Sequence, residues 1–498
     1  MRTSFIRKTP ALLPILLLTA AIFITCAPST SPTAGKSVTL TIIHTNDVHG
    51  RTGAEPFIAR MASDLRGRGQ NVLLLDAGDR LHGQTTANLS RGEAMVSIMN
   101  ATGYSAMAPG NHDFNFGVER LTELAETMNF PLISANVRRQ DGGNLFKPYE
   151  IFRMDGIAVG IFGITTPETK TSADPRIVAG LTFDDPVQAA EDIASKLKEE
   201  GCDIIIALTH LGSDALAAVH GIDLIVDGHS HDLFGNGNSV NNTLIVQAGE
   251  HSRQFGIVEV SISKNEGRPG GKEATMTARI VTIPNDDSGA SGLLADSAII
   301  VKIMEEEAKI APITSAVVGS TPVPLQGDRD MVRTRRTNLT DLVANSMLHA
   351  TGADAALLTG GNIRAGIEAG EITMGQVLSV LPFSNLLVTV ELSGAGLLNA
   401  LEHGVALYPE PSARYIHTAG LDFEFDPNAP PSQRITKATL ADGSALNPDR
   451  TYTIATIEFI AAGGDGYDML ANGKNMIWYG GDAEALANYL AANPQINP

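Results

Sequence analysis

Five short stretches of this chain carry side chains suited to holding divalent metal ions. They are Asp47-Val48-His49, Gly78-Asp79, Gly110-Asn111-His112-Asp113, Thr209-His210 and Gly228-His229-Ser230-His231. Carboxylate, amide oxygen and imidazole form a hard-to-borderline ligand set with no thiolate. That set suits two divalent ions of the zinc, manganese or cobalt kind, and does not suit a structural zinc knot or an iron–sulfur cluster. A shared carboxylate bridges two such ions about 3.5–4 Å apart, the spacing of two-metal phosphatases. Asp79, which follows an apolar run and a glycine, is the expected bridge. A single Asp-x-His or a lone His after a strand is weak evidence; the ordered set of five is the signal.

Each stretch lies at or within a few residues of the end of an apolar run: Val38–Ile43, Asn71–Leu75, Tyr104–Pro109, Ile204–Ala207 and Leu224–Val226. Several runs are apolar on both faces, as strands buried inside an α/β sheet should be. Ligands bind beyond the carboxyl ends of such strands, so residues far apart in sequence would converge in one crevice. Helical periodicity falls between the runs, at Phe57–Leu65, Val118–Met128 and Pro186–Glu200. The pattern predicts an α/β domain over 38–285, a polar Gly/Ser boundary at Asn285–Gly292, a bridging helix at Leu293–Ile310 and a second α/β domain over 311–498. Outside the five stretches, His44 reads as structural, His251 as a group behind the ligands, and His82 and His220 as packing or surface residues. Cys202 opens an apolar run and reads as a buried hydrophobe.

The N-terminus reads as an export signal. Arg2, Arg7 and Lys8 precede the apolar stretch Ala11–Ile24, which is short for a membrane span. Cys26 ends that stretch, and a Ser/Thr/Pro/Ala/Gly tether runs to Ser37. The expectation is a signal peptide over 1–25 and a tether over 26–37. The arrangement resembles a bacterial lipoprotein lipidated at Cys26, in the periplasm or cell envelope, with Thr25 a departure from the usual small residue. The lipid would be the chain's only membrane contact. With 55 acidic against 36 basic residues among 498, a net charge of −19 argues against nucleic-acid binding.

The ordered motifs resemble the calcineurin-like metallophosphoesterases, and residues 38 to about 480 resemble the 5′-nucleotidase/UDP-sugar hydrolase family. The resemblance implies a four-layer β-sandwich flanked by helices, a linker helix, and a C-terminal α/β substrate-binding domain. It implies that Asp47, His49, Asp79 and His231 hold one ion, and Asp79, Asn111, His210 and His229 the other. His112 corresponds to the family's catalytic histidine, facing the transferring phosphoryl group, with Asn111 beside it. Some relatives carry Gln at the place of His231. Where well-known 5′-nucleotidases pair the catalytic histidine with Asp, this chain has Asn115, an amide expected to orient the imidazole by accepting a hydrogen bond. Asn there also fits the related 2′,3′-cyclic-nucleotide phosphodiesterase/3′-nucleotidase branch.

The C-terminal half supplies a candidate substrate site. Arg333-Thr334-Arg335-Arg336-Thr337-Asn338 is a basic cluster in an acidic chain, and guanidinium groups hold phosphates through planar paired donors. Further on stand Gly361-Asn362-Ile363-Arg364, Pro382-Phe383 and Gly463-Gly464-Asp465-Gly466-Tyr467. By the same resemblance Arg333, Arg364 and Arg336 hold the phosphate or ribose end, with Asn338 and Gly361 among the substrate contacts. Phe383 and Tyr467 would sandwich the base. Thr359 stands where Asn is common. The implied activity is phosphate release from nucleoside 5′-monophosphates, extending to di- and triphosphates or UDP-sugars. The alternatives are the 3′/cyclic branch, a thiosulfate-ester hydrolase, and a surface lipoprotein that binds nucleotide or a host partner without turnover.

Overall fold

The computed structural model describes residues 37–172, 177–212, 214–264, 272–284, 293–383 and 385–493. The signal peptide, Cys26, the tether before Ser37 and the boundary Asn285–Gly292 lie outside the described residues. Among the described residues no helix is long and apolar enough to cross a membrane.

The N-terminal half builds two sheets from period-two apolar strands. In the first sheet the strand Ser37–Thr45 lies parallel to Asn71–Asp76, which lies parallel to Ala106–Met107. Its other edge pairs antiparallel with Gln254–Lys264, which pairs with Lys272–Thr282. In the second sheet Ile157–Thr165, Ile204–His210, Leu224–Val226 and Thr243–Val246 run parallel in that order. Tyr149–Met154 and Asn238–Val240 close its edges antiparallel.

Alternation along each strand decides the layering. Leu40, Ile42, Leu73 and Leu75 meet Val159, Ile161, Ile206 and Leu208 in one core between the sheets. Their neighbours Ile43, Val72 and Leu74 face the other way, onto Ile58, Met95 and Leu121 of the flanking helices. Phe162, Ile205 and Ala207 pack outward against Ala190 and Leu197 of the helix Pro186–Glu199, with Cys202 buried beside them. The result is the four-layer helix–sheet–sheet–helix sandwich that the family resemblance implies. Because the central strands are parallel, their carboxyl ends gather along one edge.

The bridging helix runs Ser297–Thr314, four residues later than the sequence suggested, because the Asp296 side chain accepts the Ala298 N–H at 2.8 Å and caps it. Ser97 donates to its buried Glu306 at 2.8 Å, tying it to the sandwich. The C-terminal domain has its own core around a five-stranded sheet ordered Ile416–Ala419, Ala355–Thr359, Thr451–Ile457, Leu386–Ser393, Lys474–Gly481. Its Pro382 carbonyl accepts a hydrogen bond from Asn88 of the sandwich, so the Pro382-Phe383 turn sits against the N-terminal domain.

Candidate metal centre and substrate cleft

All five predicted stretches arrive at the same edge. Asp47 and His49 follow the strand Ser37–Thr45, Asp79 follows Asn71–Asp76, His210 ends Ile204–His210, and His229 and His231 follow Leu224–Val226. Two compact groups form, Asp47 with His49 and His231, and Asp47 with Asp79 and His210. Asp79 also reaches both sides: its Oδ2 lies 3.3 Å from His210 Nε2 and 3.8 Å from His49 Nε2. His231 Nε2 lies 3.4 Å from Asp47 Oδ1.

The donor set fits divalent ions by its unmet valences. His210 is fully buried, and its Nδ1 donates to the Ala77 carbonyl at 2.7 Å. That fixes the tautomer and leaves the Nε2 lone pair pointing at the carboxylates with no aligned partner. Asn111 Oδ1 is likewise buried without a partner among the described residues. His231 donates from Nδ1 to Glu250 at 2.8 Å, which presents its Nε2 in the same way. His229 stands apart from the compact groups. Its backbone N–H donates to Asp47, its ring lies 5.1 Å from that of His210, and its Nε2 bonds Glu168 at 2.9 Å, leaving Nδ1 as the nitrogen free to ligate. Burial lowers the His49 pKa to about 3, holding it as the neutral base a ligand must be. Burial opposes the positive charge of His210 too, but Asp79 and Asp47 outweigh it and raise that pKa to about 10 in the absence of ions.

The backbone here is strained in a way the metal-site reading explains. Asp47, His49, Asp79, His229 and His231 all have positive φ, between 48° and 80°. Non-glycine residues in that region cost roughly 1–3 kcal/mol each and cluster at functional sites. Glycines let the strand ends approach: a Cβ at Gly110 would lie 2.2 Å from Asp79 Oδ1, and one at Gly228 would lie 3.0 Å from Asp47 Oδ2.

Several buried groups behind the ligands had no assigned role in the sequence reading. Asn46 donates to Asp47 Oδ2 at 2.7 Å and accepts the Ala248 N–H at 2.8 Å. Asp227 accepts from Thr209 and Leu211, fixing the turn after His210. Arg80, wholly buried, bonds Glu55 and Tyr104 at 2.6 Å each. His44 is buried as a neutral ring against Gly256, consistent with a structural residue. His251 sits between His49 and His231, ring centroids 5.7 and 6.3 Å away. His82 is not at the surface: it is 2% exposed, next to His112.

His112 places its ring 5.3 Å from His49 and donates its backbone N–H to Asp79 Oδ1 at 2.8 Å. Asn115 meets it through Nδ2, 3.1 Å from His112 Nδ1. An amide nitrogen only donates, so the ring accepts through Nδ1 and carries its proton on Nε2. This corrects the expectation that Asn115 would accept.

The substrate-site candidates divide. Arg333 and Arg364 lie near each other and near Arg329; burial and the neighbouring guanidinium charges lower the pKa of both. Such self-opposed cations are arranged for an anion. Arg333 Nε, Arg414 Nε, Asn362 Nδ2 and Thr359 Oγ1 are buried without hydrogen-bond partners among the described residues. Arg364 also feels the charges of Glu250 and Arg51 of the N-terminal domain, and its guanidinium lies 5.2 Å over the Phe383 ring. Arg336 and Asn338 depart from expectation. Arg336 is held by Asp341 and Asp422, and Asn338 is used at both ends by the Gln326 N–H and the Pro324 carbonyl. Gly361 donates its N–H to the Ala413 carbonyl at 2.7 Å and lies flat against that loop. Tyr467 also departs: it is 0% exposed, and its hydroxyl donates to the Arg414 carbonyl at 2.7 Å. A ring sealed this way has no face for a base. The exposed aromatic of that turn is Phe459, 41% exposed, its ring lying over Gly464.

A four-layer sandwich with paired Asp/His groups at its strand ends defines a metallophosphoesterase. Residues 40–233 match the calcineurin-like phosphoesterase family, and residues 317–472 match the 5′-nucleotidase C-terminal domain. The chain is 31% identical to the 5′-nucleotidase of Vibrio cholerae serotype O1, over 95% of this chain and 93% of that protein. It is 31% identical to the trifunctional nucleotide phosphoesterase protein YfkN of Bacillus subtilis, of which it spans about a third (32%). The crystal structure of a 5′-nucleotidase precursor from Thermus thermophilus superposes with a TM-score of 0.70 at 30% identity, covering 92% of this chain and 97% of that one. The chain belongs to the 5′-nucleotidase family and is a metal-dependent phosphoric monoester hydrolase.

Proposed function

We propose that this chain is an exported phosphohydrolase that releases inorganic phosphate from nucleoside 5′-monophosphates with two divalent ions of the zinc, manganese or cobalt kind. The observation that carries the reading is the pairing of the Asp/His nest with a C-terminal cationic cleft, in which Arg364 lies within electrostatic reach of the Glu250 that orients His231. Asp79 would be shared by the two ions, Asp47, His49 and His231 would complete one site, and Asn111, His210 and His229 the other. Bound there, the ions supply Lewis acidity and an activated water. His112, its Nδ1 engaged by Asn115, presents an Nε2–H donor to the phosphoryl oxygens, where charge builds during transfer. Arg333 and Arg364, with Arg329 beside them, hold the phosphate or ribose end. Phe383 and Phe459 take the base between them, Phe459 replacing Tyr467 in that role. The signal-like residues 1–25 direct export, and Cys26 carries the anchor.

One residue favours a second reading. Asn115, in place of the usual Asp, fits the 3′-nucleotidase and cyclic-phosphodiesterase branch. Phosphate release from 5′-AMP and 3′-AMP in parallel, with residues 27–498 reloaded with manganese, cobalt or zinc, separates the two. Release from 5′-AMP alone supports the C-terminal cleft as the selector. Release mainly from 3′-AMP, or cleavage of 2′,3′-cyclic AMP, replaces this reading with the second. UDP-glucose and ATP under the same conditions set the range.

A further inference from the structure

One buried histidine has no part in the chemistry above. His82 is 2% exposed, and its ring stacks parallel to that of His112, with 9° between planes and 6.0 Å between centroids. Asn115 stands between them, its Nδ2 lying 3.3 Å from His82 Nδ1 and 3.1 Å from His112 Nδ1. The amide nitrogen has two hydrogens, one for each ring, so neither imidazole can turn without breaking a bond that also orients the other. On its far side the backbone carbonyl of Phe383, in the C-terminal domain, lies close enough to favour a proton on the ring. Asn88, six residues on, bonds the adjacent Pro382 carbonyl. Two features lock the ring in place: Phe116 packs 5.3 Å away, and Gly83 lets the chain pass where a Cβ would meet the His49 carbonyl at 2.6 Å.

We propose that His82 is a positioning residue that ties the seating of the C-terminal domain to the orientation of His112. A line of contacts runs from the Pro382-Phe383 turn through the loop of His82 and Asn88, and on through Asn115 to His112. With the turn seated on that loop, His82 is held in place and pins the amide, and the amide pins His112. With the turn withdrawn, His82 loses that support and the amide is free to rotate. The catalytic ring is thereby set only when the domain that carries the substrate is in place. The inference rests on the reading of His112 as the group facing the phosphoryl.

The test uses the full metal-loaded chain with 5′-AMP and p-nitrophenyl phosphate. His82→Phe keeps the ring's bulk and its contact with Phe116 but can neither accept nor donate. His82→Gln accepts from Asn115 through its carbonyl oxygen and turns its amide N–H groups toward Phe383. His82→Phe is expected to lower kcat about 10- to 100-fold on both substrates, the cost of misplacing a reacting group by about 1 Å. KM, melting temperature and bound metal should stay unchanged, and His82→Gln should recover to within about threefold. Because the two residues act in series, adding His82→Phe to Asn115→Ala should cost no more than Asn115→Ala alone. A His82→Phe enzyme with full kcat, a glutamine variant as slow as the phenylalanine one, or losses that multiply in the double variant would each overturn the inference. A His112→Asn control separates the two levels. If it is inactive while His82→Phe runs at full rate, only the role of His82 falls. If it retains full rate, the reading of His112 falls and the inference with it.

Discussion

The Asp113 carboxylate holds the backbone of Asp79, accepting its N–H at 2.9 Å. The same carboxylate takes the N–H groups of Arg80, Leu81 and Gly110, between 2.8 and 2.9 Å. Four donors from two loops thus close on one buried carboxyl group. The turn that presents Asp79 is thereby fixed to the turn that presents Asn111 and His112. Asp113→Asn turns an amide N–H toward donors that need an acceptor. It should weaken metal binding about 10- to 100-fold, the usual cost of losing a partner behind the ligands. Activity against free metal concentration measures this; a wild-type midpoint would show that the turn holds itself.

Asp79 and Asp47 both lie between the two candidate ion positions, and metal counting distinguishes them. If Asp79 is the bridge, Asp79→Asn should lose both ions at stoichiometric loading and lower turnover by at least ~100-fold, as removing charge stabilisation at the reacting centre does. Asp47→Asn should keep the ion beside His210. Retention of one ion by Asp79→Asn and of none by Asp47→Asn would transfer the bridging role to Asp47, the residue common to both compact groups.

The metal nest is legible in the sequence because its geometry follows from local rules. A buried parallel strand is an apolar run, and the polar residue directly after it lands at the sheet's carboxyl edge. His44 and His210 show the same logic from two sides: both end strands, but only His210 has carboxylates at its Nε2. The cleft is less legible because its roles are set by partners remote in sequence. Arg336 reads as a phosphate ligand until Asp422, 86 residues on, is seen beside it. His82 lacks any local signal, since what gives it a place is Asn115 and the His112 ring, some thirty residues on. Phe459 and Tyr467 flank the same Gly-rich turn, and the path through it, with Asp465 at φ 53°, decides which ring faces outward.

That last difference is directly measurable. Phe459→Ala should raise KM for 5′-AMP about 10-fold, from the loss of roughly 1–3 kcal/mol of stacking, and leave p-nitrophenyl phosphate unaffected. Tyr467→Phe keeps the packed ring but leaves the Arg414 carbonyl without its donor. It should lower stability by about 1 kcal/mol with KM unchanged. A raised KM for nucleotides alone in Tyr467→Phe, with Phe459→Ala silent, would return the base-stacking role to Tyr467.

Asp482 links the stability of the C-terminal domain to pH. It is buried at the start of the C-terminal helix, where Asn385, two residues after Phe383, donates to it at 3.1 Å and the Ala483 N–H at 2.7 Å. Burial raises its pKa to about 7, against the pull of those donors. A carboxyl group with a raised folded-state pKa favours folding when protonated. Its contribution is full below the unfolded value near 4 and is lost as pH rises through about 7. The ceiling on that loss is about 4 kcal/mol. An amide cannot ionise, so Asp482→Asn should melt at a temperature that varies less over pH 4–8. The gap in its favour should open as pH rises from about 4 to about 7. The constant offset between the two proteins reports the exchanged hydrogen bond, and only the slope reports the charge. Parallel melting curves across that window would mean that Asp482 stays ionised throughout, held by the Asn385 and Ala483 donors in spite of its burial.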